Sequence, residues 1–191
     1  MPAETRAPGA LRATANANAN ANNTLRNNTL RIEALQQHPG LIGPIAAQLH
    51  AEWRDFAPWA SLPAIEQRLA QHAQQGQLGR VPFAFVALEG EEGEAGADHF
   101  LGTASVKLFE LPGHPDKPHW LGEVFVAPQA RGRGIGSALV CACIEESRRL
   151  GLPALYLYTP DQQALYARLG WVAVQEVEAN GETVSIMRLG L

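Results

Sequence analysis

From Thr29 onward the spacing of apolar residues switches between two periods, and the switches divide the chain into elements. Leu30-Arg31-Ile32-Glu33-Ala34-Leu35 opens with apolar–polar alternation and predicts a half-buried strand. Between Leu41 and Phe56 the apolar positions 41, 42, 45, 46, 49, 53 and 56 follow helical spacing, with Pro44 tolerated in the first turn and Pro58 beyond the end. Ser61-Leu62-Pro63 opens a second helix with Ile65, Leu69 and His72 along one side, and Gly76 and Gly79 stop it. Strands are predicted at Phe83–Leu88, Phe100–Phe109 and Trp120–Ala127. The acidic, glycine-rich stretch Glu89 to Asp98 reads as a solvated hairpin loop, and Pro112 to Pro118 as a second loop. Ile135 to Leu150 is an amphipathic helix, with Ile135, Leu139, Val140, Cys143 and Ile144 opposite Glu145, Glu146, Arg148 and Arg149. Ala154–Tyr158 is a further strand. Thr159-Pro160-Asp161-Gln162 has the form of a capping box before a short helix ending at Gly170. Trp171–Val177 and Thr183–Leu189 are two last strands joined by a turn at Asn180-Gly181. The order is β-α-α-β-β-β-α-β-α-β-β, an α/β (α+β) class with about seven strands and about four helices.

Residues 1–28 share none of this periodicity. Ala13 to Asn28 is mostly Ala, Asn and Thr, and Thr24-Leu25-Arg26-Asn27 is nearly repeated at Thr29-Leu30-Arg31. Such a segment buries too little apolar surface to offset its ordering entropy, so residues 1–28 are expected to form a disordered tail and 29–191 one domain. The length of 191 residues fits one full-sized domain, and 46% apolar residues suffice for a core.

A net charge of −4 disfavours a nucleic-acid partner, which would need a basic face. No apolar run approaches the roughly 20 residues that cross a bilayer, and no apolar signal core precedes the domain, so a cytoplasmic protein with no membrane partner is expected. Cys141 and Cys143 stand two apart on a helix and do not face each other, which suits small structural residues of a reduced protein. The six histidines lack zinc spacing; His114 and His119 merely flank the proline-rich loop, and no metal is expected.

The chemistry concentrates in Val124-Phe125-Val126-Ala127-Pro128-Gln129-Ala130-Arg131-Gly132-Arg133-Gly134-Ile135-Gly136-Ser137. A strand ends at a proline, a glycine-rich turn follows, and a helix starts inside it. Helix N-termini present unpaired N–H groups and the positive end of the dipole, glycines admit an anion close to the backbone, and two arginines add charge. The combination suits a pyrophosphate. Leu139 stands three residues after Gly136, so the dinucleotide fingerprint is incomplete, and no acidic residue ends a second strand about 20 residues on. There is no Gly-Lys-Ser/Thr, so no P-loop.

The string V-x-P-x-x-R-G-x-G-I-G before a helix resembles the acetyl-CoA motif of the GNAT superfamily of N-acyltransferases. Leu165-Tyr166-Ala167-Arg168-Leu169-Gly170-Trp171 is similar to that family's second motif, and the match spans roughly residues 29–190. The resemblance implies a GNAT fold with a mixed central sheet and acetyl-CoA as co-substrate. It implies that Arg131, Gly132, Arg133, Gly134, Ile135, Gly136 and Ser137 bind the pyrophosphate. The edge of Val124, Phe125 and Val126 would pair with the pantetheine arm. It further implies transfer of acetyl to a primary amine by direct attack, with Tyr166 as general acid toward the sulfur. Glu123 would bind the acceptor ammonium or relay its proton through water; Gly122 stands where some relatives carry a second acid. Tyr156 and Tyr158 are weaker candidates for the acid, and Asp161 sits where many relatives have asparagine. A homodimer is compatible with the resemblance. The alternative from another class is a non-catalytic acetyl-CoA-binding module of the same fold.

In the family the acceptor site lies between the first two helices and the loops near the last strands. That places Trp53, Phe56, Trp59, His114, His119 and Trp120 as candidate lining residues for an amine-bearing chain. If the strand through Glu123 alternates regularly, Glu123 and Phe125 share one face, and Val124 and Val126 the other.

Overall fold

The computed structural model describes residues 29–90, 99–179 and 181–191. Residues 1–28, residues 91–98 of the acidic stretch, and Asn180 of the last turn lie outside the described residues. The elements follow the expected order: β1 (Thr29–Ala34), α1 (Ile42–Trp53), α2 (Leu62–Gln77), β2 (Phe83–Gly90), β3 (His99–Leu108), β4 (His119–Val126), α3 (Ile135–Arg149), β5 (Ala154–Thr159), α4 (Gln163–Arg168), β6 (Val172–Ala179) and β7 (Glu182–Gly190). None of the described helices is long and apolar enough to cross a membrane.

The strands form one mixed sheet in the order β1-β2-β3-β4-β5-β7-β6. All neighbours are antiparallel except β4 and β5, which are parallel and register at one position, Trp120 with Tyr156. The sheet therefore consists of a four-stranded ladder and a three-stranded ladder that touch at one rung and part beyond it.

The ladder between β3 and β4 contains one irregularity that decides where the site residues face. Thr103 pairs with Phe125 and Ser105 with Gly122, so Glu123 and Val124 together stand opposite Ala104. This is a β-bulge on β4. Glu123 carries it with a φ of +54°, a left-handed conformation that costs a residue with a side chain roughly 1–2 kcal/mol. The bulge also breaks the regular alternation expected for this strand. Trp120 pairs with Lys107 and Phe125 with Thr103, so an even- and an odd-numbered residue of β4 lie on the same side of the sheet.

Helices α1 and α2 cover that side: Trp53 meets the edge of Phe125 with ring centroids 6.1 Å apart. Helix α3 covers the other. Its approach depends on Gly102, where a Cβ would stand 2.5 Å from the Phe125 carbonyl oxygen and 3.2 Å from Leu139 Cδ1. Backbone cannot yield as a side-chain tip can, so Gly102→Ala is expected to destabilise the domain by about 1–3 kcal/mol. Urea unfolding measures it; an unchanged midpoint would mean that α3 rides further from the sheet than it does here.

The core is continuous through both layers, with Ile45, Leu49, Ile65, Leu69, Val86, Leu139, Val140, Cys143 and Leu155 among its buried members. Two local expectations change. Thr159 Oγ1 accepts from the Gln162 backbone N–H at 3.0 Å, and α4 starts only at Gln163, so the capping-box residues form a turn ahead of the helix. Ser61 occupies the N-cap of α2 in extended conformation, but its side chain makes no capping hydrogen bond. Cys143 is buried, and burial pushes its thiol up, whereas Cys141 is exposed; both are free.

Candidate functional site

The glycine loop leaves β4 through a short 3-10 turn, Pro128–Ala130, and enters α3 at Gly134. Gly132 and Gly134 both have φ of +77°, and nothing lies within 4 Å of where a Cβ on either would point. The first turn of α3 has no capping side chain and no acidic residue. Its N–H groups face an open, uncapped end, an arrangement suited to an anion. The loop arginines rest on carboxylates of other elements. Arg131 Nη2 pairs with Glu52 Oε1 at 2.6 Å and its Nε donates to the Val126 carbonyl at 3.0 Å, while Arg133 pairs with Glu89. Both guanidinium side chains stay about half exposed, so these pairs are weak and exchangeable.

The loop opens beside the seam in the sheet. Past Trp120, β4 has no partner on the β5 side, so the outer edge of Gly122 through Val126 is free to take an extended chain by strand addition. Val124, Phe125 and Val126 thus lead directly into Arg131–Ser137, as the sequence predicts.

Glu123 does not present an open carboxylate. Its side chain is 1% exposed. Arg68 Nε donates to Oε1 at 2.7 Å and the Ser105 hydroxyl to Oε2 at 2.9 Å. Lys107 Nζ lies 3.6 Å from Oε1 and His72 Nδ1 3.4 Å from Oε2. Burial pushes the carboxyl's pKa up, but Lys107, His72 and Arg68, with the Ser105 hydrogen bond, outweigh it and hold it at about 2. His72 is pushed below its ordinary value, by burial first and by Lys107 and Arg68 next, against the pull of Glu123. Gly122 makes room for this cluster: a Cβ there would meet Lys107 Cε at 2.7 Å. Lys107 crosses Gly122 and also pairs with Glu110 at 2.6 Å.

Tyr166 lies on α4, nearly buried and edge-on to Trp171 with centroids 6.0 Å apart. Burial, and then Asp161, raise its phenol to about 12. The aromatic candidates divide. Trp53 and Trp59 pack against each other at 4.7 Å on the α1/α2 side, and Phe56 is partly exposed. Trp120 is fully buried, between Tyr156 at 5.8 Å, Tyr158 at 6.3 Å and His114 at 6.4 Å.

Sequence reasoning missed Arg68, Ser105 and Lys107. A lysine inside the apolar run Phe100–Phe109 and a glutamate inside Trp120–Ala127 carry the available signal, because isolated charges on adjacent buried strands need partners.

The family model described as "Acetyltransferase (GNAT) family" matches residues 46–171, and the chain belongs to that family. It is 36% identical over 136 residues to a mycothiol acetyltransferase of Pseudarthrobacter chlorophenolicus, covering 62% of this chain and 41% of the relative. The chain thus spans less than half of that protein's length. Its fold is that of the ribosomal-protein-alanine N-acetyltransferase of Brucella melitensis, with a TM-score of 0.62, 21% identity, and 85% and 99% of the two chains covered. It is also that of Salmonella typhimurium yncA with its cofactor acetyl-CoA, with a TM-score of 0.60, 21% identity, and 85% and 94% covered.

Proposed function

We propose that this chain transfers the acetyl group of acetyl-CoA to a primary amine by direct attack within a ternary complex. The observation that carries the reading is the meeting of the free β4 edge, Gly122 to Val126, with the uncapped N-terminus of α3. The edge takes the amides of the pantetheine arm, and Arg131 to Ser137 take the pyrophosphate. Arg131 and Arg133 exchange Glu52 and Glu89 for phosphate oxygens.

The bulge bends β4 at the point where the thioester would end. A backbone N–H of the edge, at Val126 or a neighbour, stabilises the oxyanion as the neutral amine adds to the carbonyl. The C–N bond forms, the C–S bond breaks, and the sulfur leaves with a proton. Tyr166 serves as donor to that sulfur and is reprotonated from the water that takes up the amine's proton; with its pKa near 12 the phenol is protonated again before the next turnover. Glu123 has a different part. A carboxyl held at about 2 is a feeble base, so the amine's proton passes to water, and Glu123 acts by fixing Arg68 and Lys107 on the acceptor side.

Thiol release from acetyl-CoA against a mixed amine panel, including the acceptor of the mycothiol acetyltransferases, tests the assignment. Binding of acetyl-CoA with no turnover on any amine would leave a non-catalytic acetyl-CoA-binding module. On the best acceptor, Tyr166→Phe is expected to lower kcat by about 10²-fold, at the low end of general acid catalysis, with little change in acetyl-CoA affinity. Equal turnover would make Tyr166 a packing residue against Trp171.

A further inference from the structure

Two members of the Glu123 cluster, among the described residues, hold an enclosed nitrogen without a hydrogen-bond partner, His72 Nδ1 and Arg68 Nη2, and of the two Arg68 carries the permanent charge. Its Nε is committed to Glu123 at 2.7 Å. Its Nη1 reaches the Pro58 carbonyl at 3.4 Å, the far limit of a hydrogen bond. Its Nη2 is enclosed and has no hydrogen-bond partner. The guanidinium carbon lies over Trp59, 4.4 Å from the ring centroid, and Lys107 Nζ stands 6.0 Å from the same ring centroid. An enclosed donor of a charged group without a partner is costly, and such a group calls for an acceptor that arrives later.

We propose that Arg68 anchors a carboxylate on the acceptor, so that the acceptor is an amine carrying an acid group a few bonds from its nitrogen, as an α-amino acid does, and not a polycation. The inference rests on the acetyltransferase reading above and names the substrate class of the same site. Nη1 and Nη2 form the planar fork that a carboxylate fills with two parallel hydrogen bonds; the bond from Nη1 to the Pro58 carbonyl is weak, and the α1–α2 connection that carries Pro58 must shift to open the enclosed Nη2. Pro58 belongs to the connection between α1 and α2, which also carries the partly exposed Phe56 and Trp59. Arg68 is fixed to Glu123, and Glu123 sits in the bulge beside Val124, so the anchored acid is tied to the point where β4 bends.

The charges point the same way. Glu123 already serves Arg68, Ser105, Lys107 and His72, and Glu110 is occupied by Lys107. Neither carboxylate is open to a substrate ammonium. A second or third ammonium group, as in spermidine or a lysine-rich peptide, would find both carboxylates already committed to Arg68 and Lys107.

The test is a set of matched acceptors: α-amino acids with aliphatic and aromatic side chains, their carboxamides, and spermidine, each assayed by thiol release with acetyl-CoA. The acids are expected to exceed their amides in kcat/KM by about 10- to 100-fold, carried mostly by KM. In Arg68→Gln that ratio should collapse toward one, and Arg68→Lys should restore part of it. Tryptophan fluorescence, to which Trp59 contributes together with Trp53, Trp120 and Trp171, follows titration of the same acids and amides into the wild-type protein loaded with CoA and needs neither turnover nor a variant. Acids alone are expected to give a saturable change. Amides or spermidine used as well as the acids would overturn the proposal. So would a preference that survives in Arg68→Gln, or a titration in which acids and amides respond alike. Failure to bind acetyl-CoA at all would instead count against the loop assignment, and calorimetry reads that separately.

Discussion

Glutamate in place of Gly134 is expected to abolish acetyl-CoA binding while the domain still folds. Gly134 is the N-cap of α3 and adopts a φ of +77°. A side chain there pays the left-handed conformation, roughly 1–2 kcal/mol, but meets no heavy atom within 4 Å. Stability should therefore fall modestly. The binding effect is larger, because the new carboxylate occupies the space in front of the α3 N–H groups. A unit negative charge about 4 Å from a phosphate is opposed by roughly 4 kcal/mol at a protein-surface dielectric, about 10³ in Kd. Calorimetry gives the affinity and circular dichroism the fold. Unchanged affinity in a folded Gly134→Glu protein would remove the phosphate from this loop.

Glu123→Gln is expected to cost about 3 kcal/mol of stability near pH 7, and the cost should vanish on acidification. The carboxyl's pKa falls from an ordinary 4.5 to about 2 on folding, and each unit of depression contributes roughly 1.4 kcal/mol. A depressed folded-state pKa stabilises the protein fully above the unfolded value. That contribution is lost as the pH falls through the folded one. The gap between wild type and variant should hold from pH 7 to about 5 and close between about 4.5 and 2. The amide keeps the shape of Glu123 and leaves Arg68 and Lys107 facing a neutral oxygen, so the loss isolates the charge. Urea unfolding at several pH values measures it. A gap that does not change with pH would trace the loss to packing rather than to ionisation.

The order of elements was legible because it is written in local periodicity. The α3 pattern of Ile135, Leu139, Val140, Cys143 and Ile144 needs no distant partner to be read, and the helix spans Ile135–Arg149. The glycine loop was legible for the same reason, since uncapped N–H groups and positive φ are local properties of Gly132 and Gly134. The state of Glu123 was not legible. Its partners come from α2, 55 residues earlier for Arg68, and from β3. The bulge adds one residue to one strand, which an apolar–polar pattern cannot distinguish from a regular ladder, and a left-handed glutamate leaves no trace in composition. Thr159 shows a smaller case of the same kind. Its hydroxyl does accept a backbone N–H, but Pro160 and Asp161 spend that bond on a turn, and α4 begins only afterwards.

The single rung between Trp120 and Tyr156 gives the sheet a mechanical character. The ladder β1–β4 and the ladder β5, β7, β6 are each stiffened across their width by hydrogen bonds, and the joint between them by one registered pair. Separation at that joint would break no internal rung of either ladder, and what resists it is the core that the two ladders share. The fully buried Trp120 packs across the joint against Tyr156 and Tyr158 of the other ladder. The seam is thus held by side-chain packing more than by hydrogen bonds. Any change in its width falls on side-chain contacts, which re-form in small steps, rather than on a hydrogen-bond ladder, which changes register only by whole residues.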